Sequence, residues 1–201
     1  SDVYKRQAPA GAALGQAMAQ TQQVVRQQVE SPEGGRPQPA VLARELMDRK
    51  RELKAAASTP SERATIEVVA LLFQAILMEE RLPASVRVWF ARLQMPVLRV
   101  AVAEPDFFAT LDHPARMLID RMGGCVMGFA GGMDPADTRG DEQGEQLLKE
   151  IRRIVQTVEA YPDTGRRVFQ TVLVEFERFL TTYFSEANEA SRCLLYTSPS
   201  P

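Results

Sequence analysis

The chain contains one histidine, His113, so any reaction that needs an imidazole has to use this side chain. His113 stands between Asp112 and Pro114, in the pattern of a helix N-cap followed by a first-turn proline. General acid–base catalysis also needs a second group positioned near the imidazole, and no motif in the sequence supplies one. We therefore favour a structural role for His113 and predict no catalytic residue.

The arginines are the second group of residues that could bind a ligand. Residues 81–132 carry six arginines and four acids, a net charge of +2, whereas residues 133–192 carry eight basic and twelve acidic residues, a net charge of −4. The forked donors of a guanidinium suit phosphate or carboxylate, so a small phosphorylated ligand or an acidic partner could bind there. We name Arg92, Arg99, His113 and Arg116 as the candidate binding residues. A solvated or internally paired face is the favoured alternative, because surface ion pairs are common and weak.

The sequence predicts neither a metal site nor a cofactor. Two cysteines and one histidine leave few ligands for a zinc ion held by protein alone. The glycine-containing segment 123–132 lacks the Lys-Ser/Thr pair of a phosphate-binding loop and does not follow a predicted strand. Cys125 lies within this apolar segment, and we expect a buried, unreactive thiol.

Composition and charge exclude several classes of protein. With 201 residues, 45% of them hydrophobic and 25% charged, the chain has the composition of a soluble globular protein. A net charge of −2 gives no overall attraction to nucleic acid, so we expect no such partner. The longest apolar run covers residues 68–78, which is shorter than the ~20 residues that span a bilayer. We expect no membrane insertion and a cytoplasmic location.

Helical periodicity runs through most of the chain, and no stretch shows a convincing strand alternation. The clearest stripes cover residues 147–158 and 166–187, and the short connection between them predicts an antiparallel hairpin. We predict an all-α fold, an irregular helical bundle built from helical hairpins, with about six to eight helices.

Residues 59–62, Thr-Pro-Ser-Glu, form a capping box that predicts a helix running to about residue 80. This helix is apolar on nearly all sides. Its only polar seam consists of Glu67, Gln74 and Arg81. A helix of this kind has to be covered on nearly all sides, so we predict that it is the most buried helix of the fold.

The two ends of the chain, residues 1–7 and 193–201, resemble translated sequencing-adaptor sequence, and we exclude both from the fold. We expect the rest to be a fragment of a longer protein. Its predicted organisation is an N-terminal helical or partly disordered arm, 8–58, with a linker at 31–39, followed by a helical core domain, 59–192.

Short elements in residues 62–184 resemble a known family. They include Arg-Leu-Gln-Met-Pro at 92–96, Phe-Phe at 107–108 and His-Pro-Ala-Arg at 113–116. In their order and spacing they are similar to a bacterial family of unknown function, number 1631 among such domains. The resemblance implies a largely helical, cytoplasmic proteobacterial protein with no established activity.

Two functional hypotheses follow. The first is a non-enzymatic, all-helical interaction or regulatory module of a larger bacterial cytoplasmic protein, whose partner is the remainder of its own chain or another protein. The alternative is an anion- or nucleotide-responsive binding module, or a phosphate-handling enzyme, that uses the arginine-rich face. The sequence favours the non-enzymatic role, because it contains almost no catalytic material.

Overall fold

The computed structural model describes residues 11–30, 38–132, 138–161 and 165–186. Within these ranges the chain is helical and contains no β-strand, so the predicted all-α fold class is confirmed. A short 3-10 helix, Pro105–Phe107, lies between the α-helices Gln94–Ala103 and Pro114–Gly132. The α-helices are α1 (Ala12–Glu30), α2 (Pro39–Ala56), α3 (Pro60–Leu77), α4 (Ala84–Ala91), α5 (Gln94–Ala103), α6 (Pro114–Gly132), α7 (Thr138–Glu159) and α8 (Arg166–Glu186).

The described residues group into two compact units. The first unit contains α1–α5 and the 3-10 helix, and the second contains α6–α8. The predicted boundary at residue 58 falls inside the first unit, between α2 and α3. The predicted terminal segments, 1–7 and 193–201, and most of the predicted linker, 31–37, lie outside the described residues.

In the first unit, α3 packs against α2, α4 and α5, and α1 packs against α2 and α5. The chain is buried almost without interruption from Val88 to Leu98, across the turn that joins α4 to α5. Pro96 lies in the first turn of α5, where a helix makes no use of the backbone N–H that proline lacks.

Helix α3 begins as the capping box predicts. The backbone N–H of Glu62 donates to the Thr59 hydroxyl at 3.1 Å, and the Glu62 carboxylate accepts from the N–H of Ser58 at 3.2 Å. Two contacts then fix the antiparallel register of the helices. The Gln74 amide donates to the carbonyl of Ala43, and the Lys50 ammonium donates to the Glu67 carboxylate.

The prediction that α3 is the most buried helix is wrong. Four of its large apolar side chains are between 37% and 66% exposed, namely those of Val68, Leu71, Leu72 and Met78. Its polar residues Glu67 and Gln74 form hydrogen bonds with α2, although the Glu67 side chain stays 36% exposed. The reason is the number of neighbours. One face of α3 packs into the core and the adjacent polar side contacts α2, but no described helix covers the third, apolar face.

In the second unit, α8 packs against α6 and α7, and the predicted α7–α8 hairpin is present. Ion pairs join α8 to both neighbours, because Arg153 lies 3.1 Å from Glu175 and Arg121 lies 3.3 Å from Glu177. The apolar face of α8 is buried, as its spacing predicts. It comprises Phe169, Val172, Leu173, Phe176, Leu180 and Tyr183.

Two further side chains of the second unit bear on the predictions. Burial raises the pKa of the Tyr183 hydroxyl well above its ordinary value. Cys125 is fully buried, as predicted, but its sulfur is part of a disulfide, so the expectation of a thiol there is wrong. The other cysteine of the chain, Cys193, lies outside the described residues.

Candidate functional site

Arg92 lies in the turn between α4 and α5, and its side chain is fully buried. The guanidinium carbon stands 4.3 Å from the centre of the Trp89 ring, in cation–π geometry. One terminal nitrogen of the guanidinium, NH1, has no hydrogen-bond partner in the described part of the chain. A buried charge of this kind is costly unless it is well compensated, and the Trp89 ring supplies part of that compensation.

A buried polar cluster surrounds this turn. The Gln22 amide, from α1, donates to the carbonyl of Arg92 at 3.2 Å. The side-chain oxygens of Gln22 and Gln94 are buried, and neither accepts a hydrogen bond from a described residue. The contribution of Gln22 was not predicted from the sequence. The available signal was its spacing, since Thr21 and Gln22 share one helix face with Met18 and Val25.

The other arginines of residues 81–132 lie in different environments. Arg87 donates to the carbonyl of Leu77 at the C-terminal end of α3, at 3.0 Å. Arg99 is partly exposed on α5. Arg116, also partly exposed, lies one helical turn before Asp120, whose pKa is raised by partial desolvation and lowered in part by the Arg116 charge. Arg121 pairs with Glu177.

His113 is the N-cap of α6. Its Nδ1 accepts a hydrogen bond from the backbone N–H of Ala115 at 3.1 Å, and its carbonyl accepts from Met117 at 2.9 Å. The ring is fully buried. An imidazole that accepts at Nδ1 satisfies one of the helix's first N–H groups, as an Asn or Asp cap does. The geometry supports the structural role that the sequence favours.

The four candidate binding residues divide between the two units. Arg92 and Arg99 belong to the first unit, and His113 and Arg116 belong to the second. No single compact unit therefore holds all four, and their joint binding role stays a prediction. Among the described residues, no group of three or more His, Cys, Asp or Glu side chains could hold a metal ion. None of the described helices is long and apolar enough to cross a membrane.

A different surface stands out on the first unit. We call it the outer stripe, and it consists of Ala64, Val68, Leu71, Leu72 and Ala75 on α3 and Met78 at its C-cap. All six residues are exposed, and Leu71 and Met78 are the most exposed large ones, at 66% and 64%. Five of them follow one another at intervals of 4, 3, 4 and 3 residues, which is the spacing of a helix–helix seam.

The neighbouring helix α2 extends this surface. The hairpin register, with 43 beside 74 and 50 beside 67, places Met47 level with Ala70, one residue before Leu71. Met47 is itself 46% exposed. Arg44 and Arg51 are also exposed, and they lie three residues before and four residues after Met47, on the same side of α2. The outer stripe thus has an apolar neighbour and a basic border along α2.

A family model described as "Protein of unknown function (DUF1631) 2nd domain" matches residues 8–165 of the chain. No curated protein and no solved structure matches the chain. The match covers the whole first unit as described, including the outer stripe, and it extends through α6 and α7 of the second.

Proposed function

The chain belongs to the DUF1631 family of unknown function, and from this premise we propose that it is a non-enzymatic, all-helical interaction module. In this proposal the module is part of a larger bacterial cytoplasmic protein, and its partner is the remainder of that longer chain or another protein. The observation that carries the proposal is the exposed outer stripe of α3. It shows apolar surface beyond what the first unit buries.

The energetics of the outer stripe support this role. Fully burying one Leu, Val or Met side chain contributes about 1.5–3 kcal/mol, and four such side chains on α3 are at least one-third exposed. Single exposed apolar residues are ordinary on a protein surface, but a continuous row of them marks an interaction site. A partner that covered the row would gain several of these contributions at once.

The candidate chemical groups support a non-enzymatic role. His113 is buried and its Nδ1 accepts a backbone hydrogen bond, so the ring acts as a helix cap. Arg92 is buried against Trp89. Neither side chain stands on an exposed surface from which it could reach a substrate.

The alternative, an anion- or nucleotide-responsive function, stays a prediction that Arg99 and Arg116 could carry because both are partly exposed. A thermal melt with inorganic phosphate and with nucleotides tests it. A concentration-dependent rise in melting temperature that Arg99→Met or Arg116→Met removes would support this alternative. An unchanged melting temperature would leave the interaction role as the better account.

Site-specific photo-crosslinking in living cells tests the interaction role. A photoreactive amino acid at Leu71 samples the outer stripe. The same group at Val174 of α8, which is 44% exposed, is the matched control. We expect a discrete protein adduct from position 71 that is absent from position 174. Equal adduct patterns at both positions would refute an interaction through this face.

A further inference from the structure

We propose that the groove between α2 and α3 binds an amphipathic α-helix that carries acidic residues along one edge. The inference rests on the proposed interaction role and specifies the partner and the mode of binding. The helix would lie along the outer stripe, with its apolar residues between Leu71 and Met47 and its acids beside Arg44 and Arg51.

The shape of the outer stripe fits a helix. The alternation of four and three residues from Ala64 to Met78 keeps a seam on one side of α3 over four turns, or about 21 Å. Ala64 and Ala75 allow a second backbone to approach closely, whereas Leu71 projects between them. A partner helix of about 15 residues would match this length.

The second wall of the groove comes from α2. Met47 lies within one residue of the level of Leu71 across the hairpin, and Met78 lies at the far end of the same groove. Methionine side chains are unbranched and adapt to the surface that covers them. A helix seated here would contact both α2 and α3, as a third helix does in a bundle.

The charges along α2 indicate the sign of the partner. Arg44 and Arg51 are exposed on the side of α2 that borders the groove, and neither forms an ion pair within the described part of the chain. The exposed acid between them, Asp48, is a helix neighbour of both, so this edge of α2 carries two positive charges and one negative charge. A partner helix with Glu or Asp at this edge would place opposite charges beside both guanidiniums.

The same charges disfavour a second copy of this chain as the occupant. In an antiparallel pairing that sets Val68 against Leu71 of the second copy, the hairpin register brings Arg44 of one copy opposite Arg51 of the other. Like charges in that position oppose association. A lipid surface is also a poorer fit. The outer stripe has no aromatic residue, and α2 carries three acidic residues in addition to its five basic ones.

Two synthetic helical peptides test the proposal on the whole 201-residue chain. Both carry leucines at the 4–3 spacing; one has glutamates along one edge, and the other has lysines there. Fluorescence anisotropy measures the affinity of each. We expect the Glu peptide to bind at least about tenfold more tightly than the Lys peptide, a difference of about 1.4 kcal/mol.

Variants locate the binding site. The double variant Arg44→Glu/Arg51→Glu should reverse the preference between the two peptides, because both residues are exposed and the fold does not use them. Leu71→Glu should weaken both peptides at least about tenfold. The matched control is Val174→Glu, which changes a 44% exposed residue on α8 in the second unit and should leave both affinities unchanged.

The other outcomes overturn the proposal in distinguishable ways. Equal binding of both peptides, with no reversal in the double variant, rejects an acidic partner but leaves the interaction role standing. Self-association that Leu71→Glu abolishes, without peptide binding, identifies a second copy as the occupant. Binding to phosphatidylglycerol vesicles alone identifies a lipid surface. If neither peptide nor vesicle binds, the chain remains monomeric and position 71 gives no adduct, the proposed function fails too.

Discussion

The two antiparallel hairpins of this protein place their apolar residues in different ways. In the α7–α8 hairpin, the apolar residues turn inward and the charged residues, such as Arg153 and Glu175, pair on the outside. In the α2–α3 hairpin, apolar residues occupy both the core face and the solvent face of α3, and the charged residues lie between the helices. The fold therefore buries most of the large apolar side chains of α8 but leaves a row of them exposed on α3.

Two leucines illustrate the difference. Leu180 of α8 is 2% exposed, whereas Leu71 of α3 is 66% exposed. Burial contributes to stability only where the side chain leaves water, so Leu180 stabilises its unit and Leu71 contributes little in the isolated chain. A partner that covered Leu71 would therefore gain the free energy of burying this side chain. Substitutions in each of the two hairpins test this difference.

The largest effect belongs to the buried side. Phe176 of α8 is fully buried, and Phe176→Ala should lower the free energy of unfolding by about 3–5 kcal/mol, because it leaves a cavity in the second unit. Urea-induced unfolding followed by circular dichroism measures this loss. A decrease below about 1 kcal/mol would show that α8 is not core and would remove the contrast with α3.

A smaller effect belongs to the start of α6, which packs against α8. His113→Ala removes the acceptor for the Ala115 N–H and should cost about 1–2 kcal/mol. His113→Asn retains a side-chain acceptor at the cap position and should cost less. Unfolding titrations of both variants check this order, and equal losses would mean that packing of the ring, and not the cap, is what His113 provides.

The polar seam of the α2–α3 hairpin should respond to pH. Hydrogen bonds from Lys54 and Lys50 lower the pKa of the Glu67 carboxylate. A lowered pKa in the folded state means that the stabilisation is present above the ordinary glutamate pKa and is lost as the pH falls through the folded value. The stability difference between wild type and Glu67→Gln should therefore shrink from pH 7 to about pH 3.

Thermal melts of wild type and Glu67→Gln across this pH range provide the measurement. Lys149, which lies on α7 and not at the α2–α3 seam, offers a control in Lys149→Gln, for which we expect no comparable trend. A wild-type advantage that stays constant down to pH 3 would show that the Glu67 carboxylate contributes through packing and not through its charge.

Local features of the fold follow from the sequence because neighbours along the chain determine them. The Thr59 cap depends on residues within one turn, and the buried face of α8 depends on helical spacing alone. Both could be predicted. The exposed face of α3 could not, because periodicity shows which sides of a helix are apolar but not how many neighbours the chain supplies to cover them.

The site residues show the same limit. A structural role for His113 follows from the proline beside it, and the hydrogen bond that its Nδ1 accepts from Ala115 supports this role. The burial of Arg92 does not follow from its type, because it depends on the turn that places Trp89 over its guanidinium. Arg44 and Arg51 lie outside the arginine-rich segment that the sequence singles out. Only the hairpin register shows that they border the outer stripe, and this register is a property of the tertiary structure.

The most direct test of the account measures stability and binding of Leu71→Glu on the same preparation. Because Leu71 is mostly exposed, we expect a free energy of unfolding within about 0.5 kcal/mol of wild type. We also expect the affinity for the Glu peptide to fall at least about tenfold. A stability loss of about 2 kcal/mol or more, with unchanged affinity, would contradict the account, because Leu71 would then belong to the core.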